Sequence, residues 1–472
     1  MHINRTDFIM RVSILFALIV CNVFNWIPFF SWTALGLYGL FMFMMTIRRP
    51  YFLLKYFGYV FSSTAVIVGC TMCEFSGSYL NELWDWSRYV GSLPLLCTQH
   101  VIFYLLLAFF DGMSKIQTVN TPPPPTHTRT LVSNSSNQYR ANEYLHYIAI
   151  LCVLVLLVMF LRIARNPAFI IKMGRVAYED KFHVRTGIFR NLANNSFILV
   201  AFPMLDYFNG HKRTGKAGMI LYILYFLWNG SKFGPFIVFL STFTFINYGQ
   251  ILKIDRNKII KYVYAVFFVV MVLVVVAGAI FINARGGVID EYLTMRTAGQ
   301  GQLWWKTYAI TDRTHLDEFD DELNGIFKPN DIRSNVGEMY GEYKNMYLCC
   351  NNLKYISARL KGGSAYTSCG FACAYYYLMI PGVLIWAVFI AFLLSTFTNA
   401  ILSAVKRTKY LRVILLMKLL SNTQNMMSTF LFNSFFTPSS IITFLLLIAD
   451  YWYEYTTSRR TTSISLHSEL MQ

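Results

Sequence analysis

Residues 284–305 read "ARGGVIDEYLTMRTAGQGQLWW" and follow directly on the apolar run "IIKYVYAVFFVVMVLVVVAGAIFIN". The guanidinium heads of Arg285 and Arg296 are planar and permanently charged, and each can donate two parallel hydrogen bonds to phosphate oxygens. They fall about three helical turns apart, close to one helical face, although Gly286 and Gly287 interrupt the run. Asp290 and Glu291 offer carboxylates that can accept the proton of an attacking hydroxyl. Gln300, Gln302, Trp304 and Trp305 supply the amides and indole faces that suit a sugar's hydroxyls and apolar side. Each residue also has a plainer role. Arg285 can snorkel at a membrane boundary, Arg296 can pair with Glu291, and tryptophans anchor membrane interfaces.

Two more segments carry candidate chemistry. Residues 74–91, "EFSGSYLNELWDWSRYVG", hold Glu82 and Asp85 as further carboxylates. Residues 162–192 hold Arg162, Arg165, Lys172, Arg175, Lys181, Arg185 and Arg190, with His183, against Glu179 and Asp180. Such a segment is either an anion-binding surface, with Arg175, Arg185 and His183 as ligands, or a displaced topology signal. Cys70 and Cys73 form a CxxC with no second pair behind it, and no His/Asp or paired-carboxylate motif suggests a metal. Arginine is expected to take a metal's part, with no cofactor. Of the nine cysteines, Cys349, Cys350 and Cys369 sit at polar positions where one disulfide is allowed.

The elements that must position these groups are membrane helices. The 472 residues are 56% apolar and 17% aromatic, with only 14% charged, where soluble chains carry about a quarter charged. The apolar stretch from Val12 to Phe30 runs on without a cleavage pattern and reads as a first span. Apolar runs predict an all-α polytopic protein with about twelve spans, near 11–30, 32–47, 52–73, 92–110, 144–161, 193–208, 217–229, 233–249, 259–282, 370–394, 412–433 and 438–455. With the N-terminus inside, the cytoplasmic connections collect Arg48 and Arg49, Lys115, Arg129 and Arg140, Lys212, Arg213 and Lys216, then Lys253, Arg256 and Lys258. Lys406, Arg407 and Lys409 follow, with Arg459 and Arg460 in the tail. That basicity predicts both termini in the cytoplasm, and it accounts for the net charge of +17 without nucleic acid.

The organisation that follows is a first block of spans at 1–111 and a Pro/Ser-rich cytoplasmic linker at 112–143. A second block spans 144–283, a large periplasmic loop covers 284–369, and final spans with a cytoplasmic tail occupy 370–472. In the linker, "TPPPPTHT" favours extended backbone and "SNSSNQ" favours disorder. The loop 284–369 is too long for a featureless connection, and "VGEMYGEYKNMYLCCNNLKYISARL" predicts amphipathic helices against the bundle.

"MRTAGQGQLWW" resembles the Arg-x-x-x-Gln-Gly-Gln-Leu-Trp-Trp signature of Wzy-type O-antigen polymerases, the bacterial oligosaccharide repeat-unit polymerases. "CEFSGSYLNELWDWSRYVGSL" at 73–93, "NGSKFGPFIVFL" at 229–240 and "GGSAYTSCGFA" at 362–372 are similar in the same order. The likeness covers most of the chain in layout, and only these stretches in residue detail. It implies a GT-C-like glycosyltransferase of the inner membrane in lipopolysaccharide biosynthesis. Two undecaprenyl-pyrophosphate-linked oligosaccharides would meet at the periplasmic face, and the growing chain would pass from its lipid to the new repeat unit. A flippase and a chain-length regulator are the protein partners such an enzyme implies.

Two alternatives share that lipid-linked substrate. A repeat-unit flippase needs short loops and polar groups inside its spans, whereas ionisable residues such as Lys55 and His100 are sparse in the apolar runs. An O-antigen ligase shares the donor and the topology but uses lipid A–core as acceptor.

Overall fold

Proline sets the first helices. α1 (Arg5–Val23) ends in a turn at 24–27, and α2 (Pro28–Arg48) and α3 (Pro50–Lys55) each open on proline. There the fixed φ suits the helix and the missing N–H is one that no helical carbonyl needs. The computed structural model describes residues 5–75, 82–120, 131–167, 195–229, 234–265, 289–326, 339–361 and 370–469. Residues 178, 181, 182, 192, 268 and 272 are described as well. Among the described residues the regular structure is helical and there is no strand.

α4 (Phe57–Phe75) and α5 (Ser92–Asn120) precede α6 (Leu131–Ile163). α7 (Ser196–Phe208), α8 (Lys212–Trp228) and α9 (Gly234–Ile251) follow, and residues 256–265 are helical. The polar segment then forms α10 (Ile289–Ala298), α11 (Gln302–Ile310), α12 (Phe319–Gly325), α13 (Glu342–Cys349) and α14 (Leu353–Lys361). α15 (Gly370–Lys406), α16 (Tyr410–Thr429) and α17 (Pro438–Glu469) complete the chain.

Among the described residues, five helical stretches have the length and apolarity to cross a membrane: Pro28–Arg48, Phe57–Phe75, Ser92–Met113, Glu143–Ile163 and Gly370–Lys406. Phe8–Val23 and Ser196–Phe208 are shorter apolar helices. The expected span at 52–73 is broken at Tyr56 into α3 and α4. The expected end at 394 is passed, because α15 runs on to Lys406. α5 and α6 also extend into the expected linker, so the Ser/Asn run at 133–138 is helical rather than disordered. An apolar helix already nucleated adds turns at little cost, which outweighs the weak propensity of those residues. The four prolines lie outside the described residues.

Large apolar side chains cover the outside of the bundle, among them Phe16, Phe29, Phe43, Leu154, Ile385 and Trp452. In water such a surface is a liability; against lipid tails it is matched. Inside, one large core joins α1 to α5 with α15 and α16, and a smaller one joins α6, α7 and α8. Polar groups enter the large core in pairs. Lys55 reaches both Asp111 and Asn399, and all of these lie at one end of the bundle with Tyr51, which donates to the Ile254 carbonyl. The opposite end gathers the Asn25 turn, Ser92 and the polar helices, since Asn25 donates to Tyr308 at 2.7 Å and Trp304 donates to the Ser92 carbonyl. Residues 82–91, 289–326 and 339–361 therefore share one end.

Pro381 explains one junction at that end. It has no N–H for the Tyr377 carbonyl one turn back, α15 breaks at Met379 (φ 53°, ψ −136°), and the freed carbonyl accepts from His315 N at 3.1 Å.

Candidate functional site

The segment "TAGQGQLWW" folds as the corner between α10 and α11. Gly299 N, Gln300 N and Gly301 N donate to the carbonyls of Met295, Thr297 and Ala298, closing the last turn of α10. The next helix starts at once, with Trp305 N donating to Gly301 O at 3.0 Å. The corner presses on α4 backbone to backbone. A Cβ at Gly301 would stand 2.1 Å from Cys70 N, and one at Gly69 would stand 2.4 Å from Gly301 N. Only residues without a side chain allow that approach.

α11 is buried along its first two turns. Trp304 and Trp305 are each 1% exposed. Their indole N–H groups donate to the carbonyls of Ser92 at 3.2 Å and Tyr89 at 3.0 Å. No face is left for a sugar to stack on, so the expected stacking role gives way to anchoring: the two indoles fasten α11 to the start of α5. Lys306 behind them forms a buried pair with Asp85 at 2.5 Å. Burial alone would raise the Asp85 carboxyl, but hydrogen bonds from Lys306 and Ser87 outweigh it and hold the group below the usual carboxylate range.

The polar edge of the corner is more open. Gln302 Nε2 donates to Glu82 Oε2 at 2.5 Å, and Glu82 Oε1 lies 3.9 Å from an Arg359 Nη on α14. The Glu82 carboxylate thus lies over the 299–301 turn, since a Cβ at Gly299 would come 3.6 Å from Oε2 as well as 3.0 Å from Met295 O. Arg296, on the last turn of α10, is exposed, and its carbonyl accepts from Gln300 Nε2 at 3.2 Å. Glu82, from a separate stretch of the sequence, therefore meets Arg296, Gln300 and Gln302 at one corner. Asp290 and Glu291 start the same helix. Arg285, Arg175, Arg185 and His183 lie outside the described residues.

Two participants were missed in the sequence. Arg359 sits in "LKYISARLK", whose Ile356 and Leu360 are buried, and the amphipathic pattern placed the helix without saying which charge faces Glu82. Lys306 follows the Trp pair and gave no local sign that its partner is Asp85.

A second polar group braces the rest of the segment. Glu318 pairs with Lys344 at 2.8 Å and accepts from Tyr376 at 3.1 Å, while Glu322 accepts from Tyr377 and Gly341 N, each at 2.6 Å. Burial raises the Glu322 carboxyl despite those bonds, and it pushes Glu342 up to about 8. Cys349 and Cys350 are buried free thiols, and Cys349 exchanges a hydrogen bond with Thr307 at 3.3 Å. Cys369, the third cysteine considered for a disulfide, lies outside the described residues.

Comparison with protein families, with curated proteins and with solved structures finds no match to this chain.

Proposed function

We propose that the chain is a Wzy-type oligosaccharide repeat-unit polymerase of the bacterial inner membrane, with its active face periplasmic and both termini cytoplasmic. Its substrates are two undecaprenyl-pyrophosphate-linked saccharides held in the membrane. A hydroxyl at the non-reducing end of the new unit attacks the anomeric carbon of the growing chain. The bond from that carbon to the pyrophosphate breaks, the pyrophosphate keeps the electron pair, and the hydroxyl proton passes to a base. The new unit's own lipid then carries a polymer one unit longer.

The observation that carries this reading is the corner itself, where an exposed Arg296 stands on the same turn-and-helix unit that holds Glu82. Pyrophosphate is a good leaving group, so cations that hold its developing charge suffice, each contributing ~3 kcal/mol. Arg296 and Arg359 take that role. Among the carboxylates, Glu82 suits the base better than Asp85. Its side chain is 30% exposed and can meet a substrate hydroxyl, whereas the Asp85 side chain is fully buried and held by Lys306. Gln302 orients Glu82, and Gln300 can reach sugar hydroxyls.

One observation favours a second reading, a repeat-unit flippase. Lys55, Asp111 and Asn399 form a buried polar network between helices, the kind of group that marks transport paths. Deleting the gene and running lipopolysaccharide on a gel separates the two. Core bearing a single repeat unit supports the polymerase, whereas core bearing none points to a flippase or a ligase.

A further inference from the structure

At the end of the bundle away from Glu82, helices of the smaller core bring two histidines onto one carboxylate. His146 Nδ1 of α6 lies 2.9 Å from Asp206 Oδ2 and 3.2 Å from its Oδ1, and His211 Nδ1 lies 2.9 Å from Oδ1. The two imidazoles stack with centroids 3.8 Å apart and planes 22° apart. Asp206 belongs to the last turn of α7. The chain then doubles back, His211 N donates to the Asp206 carbonyl at 3.1 Å, and α8 begins.

The buried carboxylate is the centre of this group. The Asp206 side chain is 0% exposed, and among the described residues its ion-pair partners are these two histidines. A carboxylate wholly out of water must find a cation or give up its charge. A divalent ion meets that need with these three groups, because it binds neutral imidazole nitrogen and ionised carboxylate together.

The geometry admits such an ion. One donor atom from each residue lies within 4.8 Å of the other two. Bonds of about 2.0–2.1 Å in tetrahedral array set ligand atoms about 3.3 Å apart. Asp206 Oδ1 lies 3.2 Å from His146 Nδ1 and 2.9 Å from His211 Nδ1, close to that spacing. The His211 side chain, 44% exposed, can turn to complete the set, and the His146 side chain is 26% exposed. We infer that His146, Asp206 and His211 form a three-ligand site for a zinc-class divalent cation, with a remaining position open to water. It ties α6 to the α7–α8 corner. Its place, at the opposite end from the corner carrying Arg296, assigns it to holding those helices rather than to the transfer reaction.

The test uses the full chain, carrying a tag without histidines, in detergent or nanodiscs. The protein is stripped with a chelator, dialysed, and titrated with zinc alone or cobalt(II) alone. One tightly held ion per chain, with the visible bands of low-coordinate cobalt(II), is the expected result. His146→Ala and Asp206→Asn should lose that uptake. His211→Ala is the most informative variant, since the half-exposed ring can be removed with the fold intact. His315→Ala, at the other end of the molecule, should bind as the parent does. Zinc should raise the unfolding temperature of the parent and of His315→Ala, and leave His211→Ala unmoved. Equal uptake by parent and a folded His211→Ala, or no uptake by the parent, overturns the inference and leaves a hydrogen-bonded triad.

Discussion

Gly301→Ala tests the corner most directly. The added methyl would lie 2.1 Å from Cys70 N and 2.6 Å from both Gly69 C and Val66 O. All three are backbone atoms of α4, so no rotamer change relieves the clash, and the two backbones must part by about 1 Å or more. Overpacking in a tight core costs ~1–3 kcal/mol, and a contact with backbone alone belongs at or above the upper end. A loss of ~3 kcal/mol lowers the folded-to-unfolded ratio by roughly a hundredfold. Separating α11 from α4 also draws Gln302 off Glu82 and loosens the two indole bonds. Thermal unfolding of the full chain in detergent, followed by tryptophan fluorescence, reads the stability; lipopolysaccharide ladder length at matched protein level reads the function. Gly36→Ala is the control, because a Cβ there meets nothing within 4 Å and mid-helix alanine is favoured. If Gly301→Ala unfolds with Gly36→Ala and keeps a full ladder, the close approach of α4 and the corner is wrong.

Other substitutions divide the corner's roles. Arg296→Ala should shorten the ladder to single repeats, with about a hundredfold slower transfer, and Arg296→Lys should do nearly as badly because the fork geometry is lost; a normal ladder from Arg296→Ala removes Arg296 from the site. Lys306→Met should cost ~3–5 kcal/mol by leaving the buried Asp85 carboxylate without its cation, while Lys306→Met with Asp85→Leu should recover most of it in an unfolding titration. Glu342, raised to about 8 by burial, keeps its proton in the folded chain after the unfolded chain has lost it. Its favourable contribution is complete below a pH of about 4.5, falls as pH rises, and is gone above about 8, so Glu342→Gln should flatten the pH dependence of unfolding across that window.

The helical membrane character was legible because long apolar runs admit few other structures. The breaks inside those runs were less so. Pro381 is visible in the sequence, but that its turn would free the Tyr377 carbonyl for His315 depends on where residues 311–315 return. Lys55 read as an isolated charge because its partners Asp111 and Asn399 come from other helices. The same limit hid Arg359 and Lys306 and the His146–Asp206–His211 group, all of which depend on non-local packing. The residue types of the Arg296-to-Trp305 segment stand out beside a membrane run, and the structure folds that segment as the corner between α10 and α11.

What that segment does is divided differently from how its residue types suggest. In "QGQLWW", Gly301 packs against α4, Trp304 and Trp305 are fastened at the start of α5, Leu303 is buried, and Gln302 is bound to Glu82. The exposed Arg296 and the half-buried Gln300 stand at the open edge. Such a block is demanding in sequence because a backbone contact, two indole bonds and a buried pair must be met together within a few residues. Its specificity as a pattern therefore comes from architecture. A reaction that depends on cations and a base within reach of one anomeric carbon needs that rigidity, since a shift of an ångström in either group costs a large part of the rate. In the proposed transfer, the indoles serve by fixing where Arg296 and Glu82 stand.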